Sequence, residues 1–359
     1  MKKPFGIALA LASASAAVLA IGVGGCSTTS GSATSTRTRT ATPALTNTTV
    51  PTATPAATNT PTPAAFGNAY ASDLNAGTLS VIDEATNLVI ATVATGAGSD
   101  GISVHPNGSR VYVALRSGSG VSVMDRFSNL VVGAFTTGSS PSGIRVTPNG
   151  SFVYVISVSS PSVWAIDTST GATVATITVA SIGEGVNVSP NGSYVYAACQ
   201  STNNLNVISA SSNTVIATVA VGSLPCAEIG VLPNGSFLYV TNQGAGSVSV
   251  MDVATFSIAT VIPVGSSPYG AAVTPNGSFV YIGNSSGGNV SVISTASNLV
   301  VTTLIVGSSP YGAAISGDGS WVYVANYGSG NVSVINTSTI TVFATVTVSA
   351  SPFRTGATP

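Results

Sequence analysis

One spacing constrains this chain more than any other feature. Tyr70, Tyr112, Tyr154, Tyr196, Tyr239, Tyr281 and Tyr323 follow one another at intervals of 42, 42, 42, 43, 42 and 42 residues. Around each tyrosine lies the same unit, clearest from Ser266 to Gly307. Four short runs rich in Val, Ile, Tyr and Thr are separated there by Gly, Pro, Asn and Ser. That is the pattern of four strands joined by tight turns. Four strands in a 42-residue period suit a propeller blade, being too few residues for an immunoglobulin-type sandwich and too many for one coil of a β-helix. A lone four-stranded sheet cannot cover both of its faces, so each blade must pack on its neighbours, and seven copies can close into a ring. The expected fold is all-β: a seven-bladed β-propeller with four antiparallel strands per blade.

The ring begins in mid-blade. Residues from Asn68 to about Thr95 supply a second, third and fourth strand, and the missing first strand stands at the other end of the chain. Ser351 to Pro359 aligns with Ser267 to Pro275, so the C-terminal strand is expected to join the N-terminal blade and remove two open sheet edges.

The fifth copy reads Tyr239-Val240-Thr241-Asn242, and its neighbours read Val-Tyr-Val-Ala-Asn and Val-Tyr-Ile-Gly-Asn. With the following VSVID-like strand and the Pro-Asn-Gly-Ser turn, residues 66–359 resemble the YVTN family of seven-bladed β-propellers. The resemblance implies the fold and no reaction, because the family's motifs are structural. The Gly-His and Trp-Asp signature of WD40 repeats is absent.

Residues 1–26 read as a lipoprotein signal peptide. Lys2 and Lys3 precede an apolar, Ala-rich stretch from about Phe5 to Val23, and Val23-Gly24-Gly25-Cys26 resembles a bacterial lipobox. An N-terminal transmembrane helix is the alternative that length allows. On the first reading Cys26 carries the acyl chains that tie the protein to the membrane, and Ser27 after it fits delivery to the outer membrane or cell surface. Residues 27–65, nearly all Thr, Ser, Pro and Ala, read as a disordered stalk. The expected location is extracytoplasmic, on a lipid anchor, with a monomeric propeller.

Beyond the stalk, ten acids face five arginines and no lysine, so the domain carries a net charge of −5. Nucleic acid needs several phosphate contacts from Lys or Arg and is not an expected partner. Asp83, Asp125, Asp167 and Asp252 share one column, the end of the third strand, where other copies carry Ser209, Ser294 and Asn336. Each of these types can bond a backbone N–H two residues on and fix a turn. The single histidine, His105, precedes Pro106-Asn107-Gly108 in a turn, which gives histidine-based catalysis little support. Trp164 stands in a column of serines, as an exposed contact or as the filler of a local gap. Cys199 and Cys226 fall on one rim. An oxidising compartment permits a disulfide between them, contributing about 3–4 kcal/mol; two buried free thiols are the alternative.

The remaining polar residues lie on the first strands. Aligned on their final Thr-Pro, these strands give a mouth position of Asp100, Ser142, Glu184, Ala227, Tyr269, Tyr311 and Phe353. The next position is Gly in five copies but Glu228 and Arg354 in two, and two positions further stand Arg145 and Asn187. Strand alternation puts the last two sets on one face, read as the channel wall. Arg354, Asp100, Arg145, Glu184, Asn187 and Glu228 then form a polar arc, with Tyr269 and Tyr311 on the remaining arc. Such a mouth suits a small polar ligand; an internal salt-bridge network around trapped water is the alternative. Glu184 and Glu228 stand out as the pair for a cation or a raised pKa.

No catalytic constellation, metal-ligand set or cofactor motif is legible. The expectation is a non-enzymatic surface lipoprotein, a rigid scaffold binding a protein, an envelope component or a small polar ligand. The second reading is an extracytoplasmic lactonase-like hydrolase or lyase that uses the polar arc, separated from the first by sensitivity to a chelator. Fold analogy alone supports the second. A quinone-dependent dehydrogenase is third, since its tryptophan-docking repeats are missing.

Overall fold

The computed structural model describes residues 67–359. The expected signal peptide 1–26 with Cys26 and the expected stalk 27–65 lie outside the described residues. Twenty-eight strands, β1 to β28, form seven four-stranded sheets among the described residues. Six sheets run through consecutive strands, within residues 99–136, 141–178, 185–220, 225–263, 268–305 and 310–347. The seventh has the order β28–β1–β2–β3, built from Pro352–Ala357, Asn68–Asp73, Thr78–Asp83 and Leu88–Ala94. Ala69 pairs with Ala357 and Tyr70 with Gly356, so the last strand closes the first blade as the sequence alignment predicts.

The turns are made by the residues the repeat keeps. In Pro-Asn-Gly-Ser the Gly takes a left-handed conformation, as at Gly108 (φ 71°) and Gly277 (φ 71°). The preceding Asn accepts the N–H of the Ser two residues on: Asn107 from Ser109 at 2.9 Å, Asn276 from Ser278 at 3.0 Å. The acid column behaves as expected. Asp167 accepts N–H groups from Ser169 and Thr170, both at 2.9 Å, and Asn336 those of Ser338 and Thr339, both at 3.0 Å. His105 sits in its turn, with Nδ1 accepting the N–H of Asn107 at 3.2 Å.

The core is divided among seven blade-to-blade contacts. Tyr154, Ile156 and Val163 of one blade pack against Val186, Val195 and Ala197 of the next, and equivalent clusters recur around the ring. At the seam, Ala69, Ala71 and Ile82 pack against Tyr323, Val332 and Val334. Each buried Val, Ile or Tyr contributes about 1.5–3 kcal/mol, and none of these faces is covered unless the neighbouring blade is present. The final Asn of the Tyr-Val-Thr-Asn run is structural. Asn242, Asn284 and Asn326 each donate from Nδ2 to Ser249, Ser291 and Ser333 of the adjacent strand, at 2.9 Å in all three blades. Trp164 occupies the same column as those serines and is buried in a blade-to-blade cluster, which decides for the gap-filling reading.

Cys199 and Cys226 are both buried and no disulfide joins them among the described residues, so the second of the two alternatives holds. Cys199 takes the place of the Asn just described and points its thiol at Asn206 Oδ1 (3.4 Å), while that of Cys226 lies 3.3 Å from Gln243 Oε1.

Candidate functional site

The first strands ring the axis, and six of them carry a bulge at the upper end. In β4 (Ser99–Val104), Ser99 pairs with Leu115 but Ile102 with Val113, three residues against two. The same step recurs in β8 (Pro141–Val146), β20 (Pro268–Val273), β24 (Pro310–Ile315) and β28, where Ala71 pairs with Thr355 but Asp73 with Pro352. In β16 (Pro225–Val231) it is four residues against two, which is where the extra residue of the 43-residue interval is absorbed. A bulge bends its strand and re-aims the side chains beside it. Consequently it is Cys226, placed after its proline like Tyr269, that packs with Tyr269 and Phe353 at the mouth. The aligned mouth position of the sequence reading, Ala227, is corrected accordingly.

Glycine lets the bulged segments meet. A Cβ on Gly101 would lie 2.3 Å from the carbonyl oxygen of Ser142, and one on Gly143 or Gly270 as close to that of Glu184 or Tyr311. Glu228 and Arg354 therefore replace glycine only where a side chain has somewhere to go. Both point into the centre, where they divide the axis into two tiers.

The upper tier is a closed ionic and aromatic cap. Asp100, fully buried, accepts from Arg354 Nε (3.1 Å), Arg116 (3.3 Å) and Ser142 Oγ (2.7 Å). Glu184 accepts from Arg116 at 2.7 Å and from the Tyr269 hydroxyl in a short hydrogen bond. Tyr269 meets Tyr311 edge-on at 4.7 Å and lies under the Arg354 guanidinium at 5.2 Å; Phe353, Tyr327 and Leu74 complete the cap. Burial pushes the Tyr269 hydroxyl well above its usual range, and the Glu184 charge pushes it further. Burial alone would weaken the basicity of Arg354, but Tyr269, Asp100, Glu228 and Glu184 around it leave its pKa raised. The separation of charges from aromatics expected from sequence is therefore not found, because Tyr269 is bonded into the charged network. Nor is there room for a foreign cation between Glu184 and Glu228. Arg354 occupies that position, 4.0 Å from the former and 3.9 Å from the latter.

The lower tier is a cavity of about 230 Å³ on the axis beneath the cap. Arg145, Asn187, Glu228 and Arg354 line it, with Gly101, Gly143, Ala272 and Ala314 among the small residues of its wall. The wall runs on to Val104, Val231, Val273 and Ile315, partly exposed at the strand ends nearest the Pro-Asn-Gly turns. Glu228 Oε2 accepts the N–H groups of Ala271 and Ala313, each at 3.0 Å, from two successive blades. Its Oε1 accepts no hydrogen bond and faces Arg354. Burial raises the Glu228 pKa, against the opposing pull of Arg354, the two amides and Arg145. Asn187 is spent on the backbone, donating to the Ile229 carbonyl (2.5 Å) and accepting from the Val188 N–H (2.8 Å).

Of the eight side chains the sequence proposed for the mouth, Asp100, Glu184, Tyr269 and Tyr311 belong to the cap, Arg145, Asn187 and Glu228 to the cavity, and Arg354 to both. Sequence reasoning missed Arg116, which bridges Asp100 and Glu184 from the loop after a second strand. Its column reads Leu74, Arg116, Val158, Gln200, Gln243, Ser285 and Tyr327. Leu74, Arg116 and Tyr327 of that column all reach the cap. A column of varied large residues just past the invariant strand was the available signal.

Two family models match parts of the ring: the lactonase, seven-bladed β-propeller, over residues 69–218, and the cytochrome D1 heme domain over residues 233–356. Among solved structures, a functionally unknown protein from Desulfotomaculum acetoxidans is similar with a TM-score of 0.72 and 16% identity, covering 81% of this chain and 98% of that one. Dihydro-heme d1 dehydrogenase NirN in complex with DHE gives a TM-score of 0.61 and 14% identity, over 80% of this chain and 74% of that one. Hydrazine synthase of Kuenenia stuttgartiensis gives 0.51 and 21%, over 67% and 95%. A search of curated proteins returns no match. At these identities the structural likeness is one of fold, the seven-bladed β-propeller. The family models, one of a lactonase and one of a haem domain, correct the expectation of a non-enzymatic scaffold.

Proposed function

We propose that this chain is an extracytoplasmic, lactonase-like hydrolase or lyase of the YVTN-repeat type, anchored through Cys26, with Glu228 as its general base. The observation that carries the reading is the division of labour within one carboxylate. Oε2 is pinned by two amides from two blades, while Oε1 is left toward a cavity and beside a guanidinium. Burial raises its pKa toward the range where a base is effective near neutral pH. In lactone hydrolysis Oε1 takes a proton from water as the hydroxide oxygen bonds to the ring carbonyl carbon. Arg354, which lines the same cavity, offers charge to the oxyanion that forms. The ring C–O bond then breaks, the leaving alkoxide recovers the proton from Glu228, and a hydroxy acid departs. A lyase would use the same base to remove a proton beside a carbonyl.

The matched lactonase model supports this reading over residues 69–218. The haem domain match does not extend to the chemistry of the channel. No His, Met or Cys lines the cavity to ligate an iron, and the aromatic cap fills the mouth. Nor do three His, Cys, Asp or Glu side chains converge on a metal site among the described residues, so water activation falls to Glu228.

The test is hydrolysis of a panel of five- and six-membered lactones by the full chain, followed by proton release, with Glu228→Gln alongside. The expected result is turnover that falls about 10²- to 10⁴-fold in the variant, whose fold is retained. Undiminished turnover in Glu228→Gln, or none by the folded wild type on any member, overturns the proposal.

A further inference from the structure

Among the described residues, Arg145 is the one cation of the channel with no hydrogen bond or ion pair. It stands on β8 in the column that other blades fill with Ser103, Asn187, Gly230, Ala272, Ala314 and Gly356. Its guanidinium lines the cavity, and its Nε is shut off from solvent without a hydrogen-bond partner. None of the ion pairs among the described residues includes it, whereas Arg116 and Arg354 are each paired with two or more acids. Burial lowers its pKa, and Glu228 is the only acid whose charge opposes that. Arg145 is partly exposed, to the channel, and a cation there that no protein group answers leaves a place beside it for a ligand of opposite charge.

We propose that Arg145 anchors a binding site for a small monocarboxylate in the channel. The planar fork of a guanidinium matches a carboxylate through two parallel hydrogen bonds. The charges favour a monoanion over a dianion such as phosphate: Arg116 and Arg354 answer Asp100 and Glu184 in the cap, so Arg145 meets the ligand with one positive charge while Glu228 opposes a second negative one. The small apolar wall of Ala272, Ala314 and Val273 receives the short carbon part of the ligand. Arg354 lines the same cavity and adds a second cation beside the ligand. The proposal deepens the hydrolase reading and rests on it for the origin of the ligand, since opening a lactone leaves a carboxylate in this place. Product retention and inhibition by simple carboxylates follow.

The test titrates the full chain with acetate, propionate and lactate at constant ionic strength, with acetamide and inorganic phosphate as controls, and follows heat of binding and thermal midpoint. Wild type is expected to bind the monocarboxylates saturably, with acetamide and phosphate at least about tenfold weaker. Arg145→Met should abolish binding and keep the fold, and Arg145→Lys should weaken it by about tenfold by losing the fork. Glu228→Gln should tighten it, by removing the opposing charge, whether or not lactones are hydrolysed. Carboxylate binding without lactone turnover leaves this site standing and removes the hydrolase; turnover without carboxylate binding does the reverse. Binding that survives Arg145→Met, a preference for phosphate, or no binding by folded wild type overturns the proposal.

Discussion

Tyr323 donates its hydroxyl proton to Asn87 at 3.2 Å, across 236 residues of chain and across the seam of the ring. The same bond joins Tyr154 to Asn213 (2.9 Å) and Tyr239 to Asn298 (2.7 Å), in each case from one blade to the left-handed turn residue of the next. In these three blades the tyrosine that measures the repeat is therefore also a clasp, whereas the Tyr70 hydroxyl and Asn129 Oδ1 are both buried without a hydrogen bond. Where the turn residue is Phe256 or Ile340, the clasp is missing, and the hydroxyls of Tyr196 and Tyr281 are buried without a partner.

Ile340 is a β-branched residue at φ 52°, a conformation that suits Asn far better. Ile340→Asn should relieve that strain and give Tyr281 an acceptor. After loss of some packing, a net gain of about 1 kcal/mol is expected, or about 2–4 °C in Tm. Asn298→Ala should cost about 1–3 kcal/mol by orphaning the Tyr239 hydroxyl. Thermal denaturation of the two variants decides the matter, and a destabilised Ile340→Asn would show that packing outweighs the clasp.

Arg354 joins closure to the cap, since it lies on β28 and holds Asp100 at 3.1 Å. Arg354→Ala leaves that buried carboxylate short of a partner and should cost about 3–5 kcal/mol. Truncation after residue 350 removes β28 as well and should abolish cooperative unfolding, monitored by calorimetry. A truncated chain that melts like wild type would contradict the closed ring.

Glu84 lies at the seam beside Gly67 and Thr358, and burial, aided by the charge of Asp318 and opposed by Arg126, raises its pKa to about 7. The folded protein thus binds a proton that the unfolded chain, with a pKa near 4.5, has already released. The stability held below the unfolded pKa is lost as pH rises through 7, an effect of up to about 3 kcal/mol. Glu84→Gln should flatten that slope, raising Tm at pH 8 and leaving it nearly unchanged at pH 4.5. Parallel pH profiles of the two proteins would refute the assignment.

Two glycines test the packing of the axis. Gly270→Ala would place a Cβ 2.3 Å from the Tyr311 carbonyl oxygen, while one on Gly133 meets nothing within 4 Å. The first should destabilise by about 3 kcal/mol or more and the second stay within about 1 kcal/mol of wild type. Urea denaturation distinguishes them, and equal midpoints would mean that the first strands can part without cost.

The sequence determined the ring. A fixed 42-residue interval, alternating apolar residues and invariant turn chemistry are local properties repeated seven times, and local properties can be read along a chain. The alignment of Ser351–Pro359 with an internal first strand was enough to foresee the closure, because strand pairing within a repeat follows the repeat register. The shared face of Arg145, Asn187 and Glu228 was likewise legible from strand alternation.

Only the tertiary structure decided which polar residues answer one another at the axis. Seven strands meet there from positions up to 254 residues apart, as between Arg354 and Asp100, and bulges turn consecutive side chains inward against simple alternation. Arg116 enters from a loop that no strand register describes. Cys226, displaced by one extra residue, takes a place that alignment gave to Ala227. The physical reason is that a repeat specifies each blade against its neighbour, whereas the charges at the centre are balanced by the whole ring at once. That balance leaves Asp100 and Glu184 satisfied, Glu228 half-satisfied and Arg145 without a counterpart.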